Sequence, residues 1–161
     1  MKGSDILIVK NTDEKTIRQV IELRIKYFRE YYENFTKEQE YTIEQNLHKY
    51  FNDHLNSDCV VAVIKKNDKV VASAILNIFV KAPNRRFQNG KYGEIYGVYT
   101  TPKERRNGYA TALIQMLINY SKEKELSFIQ LDASEKGIQV YKHCGFIEET
   151  SDYVPMKYHI H

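Results

Sequence analysis

The run Val98-Tyr99-Thr100-Thr101-Pro102-Lys103-Glu104-Arg105-Arg106-Asn107-Gly108-Tyr109-Ala110 continues directly into Thr111-Ala112-Leu113-Ile114-Gln115-Met116-Leu117-Ile118. It reads as the end of an apolar strand, a short basic loop containing glycine, and the start of an amphipathic helix. Helical spacing puts Ala110, Leu113, Ile114, Leu117 and Ile118 on one stripe. Such a unit points backbone N–H groups and a helix N-terminus at one spot, which is what a phosphate-bearing ligand needs.

Outward from this unit the chain alternates between the two regular periods. Ile6 to Val9 reads as a short strand. Residues from about Asp13 to Tyr32 follow helical spacing, with Ile17, Val20, Ile21, Ile25 and Phe28 on one face and Thr12 or Asp13 as the cap. Thr36 can cap a second helix, from about Lys37 to Leu55. Asp58 to Lys65 and Lys69 to Val80 are β-branched runs around Lys66-Asn67-Asp68, a hairpin signal. A polar stretch from Ala82 to Lys91, with Asn84-Arg85-Arg86 inside it, reads as a loop, and Tyr92 to Thr100 as a fourth strand. Ser127 to Asp132 follows as a fifth strand, then a short helix from about Glu135 to His143 stopped by Gly145. Phe146 to Glu149 and Tyr153 to Tyr158 complete the series as a closing hairpin. The predicted order is β-α-α-β-β-β-α-β-α-β-β, with no repeat or linker.

Composition narrows the class. The 161 residues suit one domain spanning 1–161, and 42% hydrophobic with 28% charged residues is ordinary for a globular protein. Cys59 and Cys144 form no disulfide framework and no Cys/His cluster, so no metal site is expected. The chain begins Met-Lys-Gly-Ser-Asp, and its first apolar run is too short for a signal-peptide core. Nothing later approaches a membrane span, so a cytoplasmic protein without a membrane partner is expected. A net charge of +3, without a stripe of basic and aromatic residues, gives no nucleic-acid surface. Thirteen tyrosines are unusual, and Tyr27, Tyr31, Tyr32, Tyr41 and Tyr50 fall close together. They suit either core edges or a partly apolar cavity.

The phosphate loop is neither GxGxxG nor GxxxxGK followed by Ser or Thr. The pattern Arg105-x-x-Gly108-x-Ala110 instead resembles the acyl-CoA pyrophosphate loop of the GNAT superfamily, the Gcn5-related N-acetyltransferases. A second match lies in Val140-Tyr141-Lys142-His143-Cys144-Gly145-Phe146, similar to the family's Leu-Tyr-Glu-Lys-x-Gly-Phe. The resemblance implies an α/β (α+β) fold whose mixed, mostly antiparallel sheet splays between parallel strands 4 and 5 and is flanked by helices. It implies acetyl-CoA as cosubstrate, its diphosphate on backbone N–H groups from Arg106, Asn107, Gly108, Tyr109, Ala110 and Thr111, beside Arg105. Gly108 would let that diphosphate approach without a side chain in the way. Val98, Tyr99 and Thr100 would pair with the pantetheine arm, and a backbone N–H there would polarise the thioester carbonyl. Ser134 stands where many relatives carry a CoA-contacting Asn, and Arg106 where glycine is commoner.

By the same resemblance Tyr141 is the general acid that protonates the departing CoA thiolate. A base is needed on the amine side. Glu94 and Tyr96 alternate with Val98 along the fourth strand, which puts them on its face, and Glu94 can take a proton directly or through water. Tyr27 and Tyr31 end the first helix, where family members often shape the acceptor pocket, and Glu30, Glu33, Glu38 and Glu40 offer a local acidic rim. His48, His54 and His143 read as surface residues, and Cys144 has no activating constellation. The acceptor is an amine of a small molecule or of a protein, and many relatives dimerise. The alternative is a domain of this fold that binds acyl-CoA without turnover. Retention of Tyr141 favours the enzyme, because a pure binder has no use for a proton donor there.

Overall fold

The β-branched runs of the sequence form the sheet. In the computed structural model, which describes residues 4–85, 87–150 and 153–160, five strands lie side by side in chain order. They are β1 (Ser4–Ile8), β2 (Cys59–Lys66), β3 (Lys69–Val80), β4 (Lys91–Thr100) and β5 (Ile129–Gln130). Arg86 of the basic loop cluster and Met1 to Gly3 lie outside the described residues. The first four strands pair antiparallel and β5 runs parallel to β4. The β2–β3 turn is the expected hairpin: Asn67 (φ 50°) and Asp68 (φ 61°) adopt the left-handed pair that a two-residue turn requires.

Helices cover both faces. Six consecutive residues of β2, Cys59 to Ile64, are buried, which explains their nearly continuous apolar reading. Cys59, Val61, Val63 and Ile75 pack against Val20, Ile21 and Leu23 of α1 (Glu14–Tyr31) and Phe51 of α2 (Lys37–His54). Val60, Ala62, Ile64, Leu76 and Ile95 pack against Leu113, Ile114 and Leu117 of α3 (Tyr109–Glu123). Each fully buried aliphatic side chain contributes about 1.5–3 kcal/mol, so these two layers dominate the fold's stability. The caps are those the sequence offers. Asp13 accepts from the Thr16 amide at 3.1 Å, and Thr36 with Gln39 forms a reciprocal capping box.

The C-terminal third departs from the expected pattern. β5 is two residues long rather than six, pairing only Ile129 with Gly93 and Gln130 with Glu94. Beyond Glu94, β4 runs on with no strand beside that edge among the described residues, which is the expected splay. The last helix, α4 (Ile138–His143), starts three residues later than predicted. The Ser134 carbonyl accepts from the Gly137 and Ile138 amides, so 135–137 is spent on a turn. The closing hairpin does not form among the described residues. Val154, Met156, Tyr158 and Ile160 alternate as a strand would, but all are exposed, with no covered face to answer them. Among the described residues no helix is long and apolar enough to cross a membrane, and no metal-holding group of His, Cys, Asp and Glu occurs.

Candidate active site

A bulge in β4 organises the site. Ile75 of β3 faces Tyr96, and Ser73 faces Tyr99, so three steps on β4 answer two on β3. The extra residue falls at Gly97–Val98, and Gly97 has φ +60°. This overturns one reading of the sequence, in which Glu94, Tyr96 and Val98 share a face. Period-two alternation holds only up to the bulge. Tyr96 and Tyr99 both pack on the α1/α2 side, whereas Val98 packs with Ile95 on the α3 side. Glu94 stays with Tyr96, opposite Asn77, whose side-chain oxygen accepts from Tyr50 (2.7 Å) and Tyr96 (3.4 Å). The Glu94 carboxylate is met by the Gln130 amide at 3.5 Å.

Past Thr100 the chain makes a short 3-10 turn, Pro102–Glu104, before α3 begins. The first bond of α3 runs from the Ala112 amide to the Gly108 carbonyl at 3.0 Å. The amides from Arg106 to Thr111 take up no acceptor among the described residues. Gly108 caps the helix in the left-handed region (φ 75°), and a Cβ placed on it would meet nothing within 4 Å. The result is an open cradle of unpaired donors at the positive end of a 15-residue helix. Arg106, Asn107 and Gly108 are exposed. Arg106 holds φ 67° with a full side chain, a strained conformation for a non-glycine residue. Tyr109 is buried against the sheet (6% exposed), so it offers this cradle its amide but not its ring, while Ala110 and Thr111 are half-buried.

The Arg105 side chain turns away from the cradle. Its Nη2 donates to both oxygens of Glu30 (2.6 and 2.8 Å), its Nε donates to the Thr100 carbonyl (3.1 Å), and the Tyr99 hydroxyl donates to Glu30 (2.9 Å). These bonds tie α1 to the end of β4 and the start of the loop. The Arg105 guanidinium, with help from Tyr99, holds the Glu30 carboxyl below the usual carboxylate range. The acidic rim read from the sequence is therefore partly neutralised, since Glu40 likewise pairs with Arg29.

Tyr141, on α4, is half-buried, with its ring edge-on to Phe146 at 6.1 Å. Burial raises its pKa, and Tyr27 and Cys144 add to the effect, so the phenol stays protonated well past neutral pH. Tyr27 stacks on Tyr31 (5.5 Å) and meets Tyr99 edge-on (6.0 Å), which brings α1 and β4 to the same place. Tyr31 is exposed, as is Ser134 at the approach to α4. Burial likewise raises the Cys144 thiol, which argues against a nucleophile.

One residue escaped the sequence reading. Arg24 of α1 places its guanidinium carbon 4.7 Å from the ring centre of Phe28, 5.5 Å from that of Tyr96 and 5.6 Å from that of Tyr27. Its buried Nε has no partner, and no described residue forms an ion pair or hydrogen bond with it. A Cβ on Gly97 would lie 3.1 Å from the Arg24 Cζ and closer still to Nη1. Gly97 was the available signal, because an isolated glycine in a strand pattern marks a bulge or a close approach.

Comparisons with known proteins place the fold. The acetyltransferase (GNAT) family matches residues 18–146, and the chain belongs to it. A predicted acetyltransferase of Clostridium acetobutylicum, solved with acetyl-CoA, is 28% identical over 96% of each chain, with a TM-score of 0.80. Glucosamine-6-phosphate N-acetyltransferase of Arabidopsis thaliana shares the fold at 19% identity, covering 98% of this chain and 99% of that one (TM-score 0.67). An aminoglycoside acetyltransferase from an uncultured soil sample does so at 17% identity, with coverages of 99% and 97% (TM-score 0.72). No curated protein matches the sequence.

Proposed function

We propose that this protein transfers the acetyl group of acetyl-CoA to a primary amine by direct attack in a ternary complex. The observation that carries the reading is the cradle itself: six successive amides leading into α3 with no acceptor among the described residues, beside an edge of β4 left open by the splay. Both match what a diphosphate and an extended pantetheine arm need. The diphosphate would take the amides of Arg106 to Thr111, with Arg105 holding the loop against α1 rather than contacting phosphate through its side chain. The pantetheine amides would pair with the backbone of Val98, Tyr99 and Thr100, and Ser134 would flank the arm from the other side of the splay.

In the reaction, Glu94 accepts the ammonium proton, directly or through water. The neutral amine attacks the thioester carbon on the α1/α2 side, between Tyr27, Tyr31 and Tyr96. The C–N bond forms, and a backbone N–H at the β4 bulge stabilises the oxyanion. The C–S bond then breaks and Tyr141 gives its proton to the thiolate, recovering one from solvent. A raised pKa keeps this donor loaded at neutral pH, at some cost in acidity.

Isothermal titration of acetyl-CoA tests the donor site, with Gly108→Asn and Gly108→Glu as variants. Asn tolerates the left-handed backbone, so Gly108→Asn stays folded while its side chain occupies the cradle. Micromolar binding to the native protein and a loss of tenfold or more in both variants is the expected result. No binding by the folded native protein would overturn the reading. A thiol-release assay against an amine panel then separates an enzyme from a binding module.

A further inference from the structure

We propose that Arg24 is the recognition point for an anionic acceptor, a small amine that also carries a carboxylate or phosphate group. The inference deepens the acetyl-transfer reading and rests on it for the identity of the site, although the anion site has its own test. Arg24 is a cation held without a counter-ion. Its Nε is buried and unpartnered, and its guanidinium makes no ion pair among the described residues. Two carboxylates of the acidic rim are engaged elsewhere: Glu30 by Arg105 and Tyr99, and Glu40 by Arg29. Burying a charge without a partner is costly, and three aromatic rings offset only part of that cost.

The placement is also specific. Arg24 lies against Gly97, the bulge residue directly before Val98, and shares Tyr27 and Tyr96 with the acceptor side of the site. Tyr27 in turn lies near Tyr141. A ligand seated among these tyrosines would have its anionic group within reach of a planar, fork-shaped donor that suits carboxylate or phosphate bidentately. Phe28, the ring closest to Arg24, also forms one wall of a groove of about 460 Å³ with Tyr32, Glu33, Asn34, Phe35 and Ile43, which gives the rest of such a ligand, its amine end included, room to extend.

Two measurements decide it. The first needs no turnover. In ¹⁵N-labelled protein the Arg24 Nε–H signal, assigned by its loss in Arg24→Gln, is followed while acetate or inorganic phosphate is added. A saturable shift supports the site, the stronger-binding anion identifies its chemistry, and no shift overturns it. The second compares kcat/KM for matched acceptors: β-alanine against β-alaninamide, and O-phosphoethanolamine against ethanolamine. The charged member of at least one pair should be preferred, and Arg24→Gln should cut that preference about 100-fold. Equal use of charged and neutral members, or a preference that survives in Arg24→Gln, overturns the proposal. If acetyl-CoA binds nowhere but the Arg24 signal still shifts with anions, the acetyl-transfer reading fails and the anion site stands.

Discussion

Gly97→Ala is the sharpest structural test, because its cost divides into two parts that a second substitution separates. The first is backbone: an alanine held at φ +60° costs about 1–2 kcal/mol. The second is contact. The new Cβ lies 3.1 Å from Arg24 Cζ and closer to Nη1, so the guanidinium must withdraw. Phe28, Tyr27 and Tyr96 obstruct that withdrawal, and overpacking of this kind costs about 1–3 kcal/mol. Reduced freedom of the unfolded chain returns about 0.4–1 kcal/mol. The net loss is about 1–5 kcal/mol, centred near 3, which for a chain of this size lowers Tm by roughly 6–12 °C at the centre of that range. In an Arg24→Ala background the next contact is Ile75 Cδ1 at 3.4 Å, which is tolerable, so only the backbone part remains. A double-mutant cycle by urea denaturation should therefore give a coupling of about 1–3 kcal/mol. Equal costs of Gly97→Ala in both backgrounds would refute the seating of the guanidinium on the bulge, and the anion site with it.

Four further outcomes follow from the site. Glu30→Gln and Arg105→Gln should each weaken acetyl-CoA binding several-fold, with the double variant no worse than either single one, because the two side chains act as one bracket; titration calorimetry checks this. Glu30 also titrates below its ordinary range, so its contribution to stability is present above the unfolded pKa of about 4.3 and fades as pH falls through the lower folded value. With 43% of the side chain exposed, that contribution is about 1 kcal/mol or less, and melting curves of native and Glu30→Gln protein should converge as the pH falls below the folded value. Arg106→Gly should raise stability by about 0.5–1 kcal/mol by relieving φ 67°, less what the freer unfolded chain takes back; unchanged or lower stability in urea would show the strain to be absent. Tyr141→Phe should lower kcat by about 100-fold or more while the Kd for acetyl-CoA, by calorimetry, stays within a factor of two. An unchanged kcat would remove Tyr141 from the chemistry.

What the sequence revealed was mostly local. The Asn67-Asp68 hairpin, the Asp13 and Thr36 caps and the loop before α3 each depend on a few adjacent residues, and all appear where read. The face assignment along β4 failed because alternation assumes an unbroken strand, and Gly97 inserts one residue into it. The closing hairpin failed because alternation describes only the segment itself; pairing also needs an edge, and β5 offers two residues. Glu30 and Arg105 stand 75 positions apart, so no window of sequence could join them. Arg24 was invisible for a related reason. An arginine on an amphipathic helix reads as solvated, and nothing in the sequence shows that its Nε is buried without a partner against the bulge opposite.

The β4 bulge ties these features together physically. A regular strand would send Val98 to the face of Tyr96, and on the bulged backbone any side chain at 97 would run into Arg24. One extra residue, with no Cβ, avoids both. It turns Val98 toward α3, where the unpaired amides gather, and leaves Tyr96 and Tyr99 toward α1, where the unpaired cation sits. The same irregularity therefore gives the site two unsatisfied poles: backbone donors on one side of β4 and a guanidinium on the other. An acyl donor with a diphosphate can answer the first, but its own length along the open strand edge keeps it from the second. The second pole is left for the other reactant, which is why the charge of the acceptor, rather than its size, should decide which amines this protein accepts.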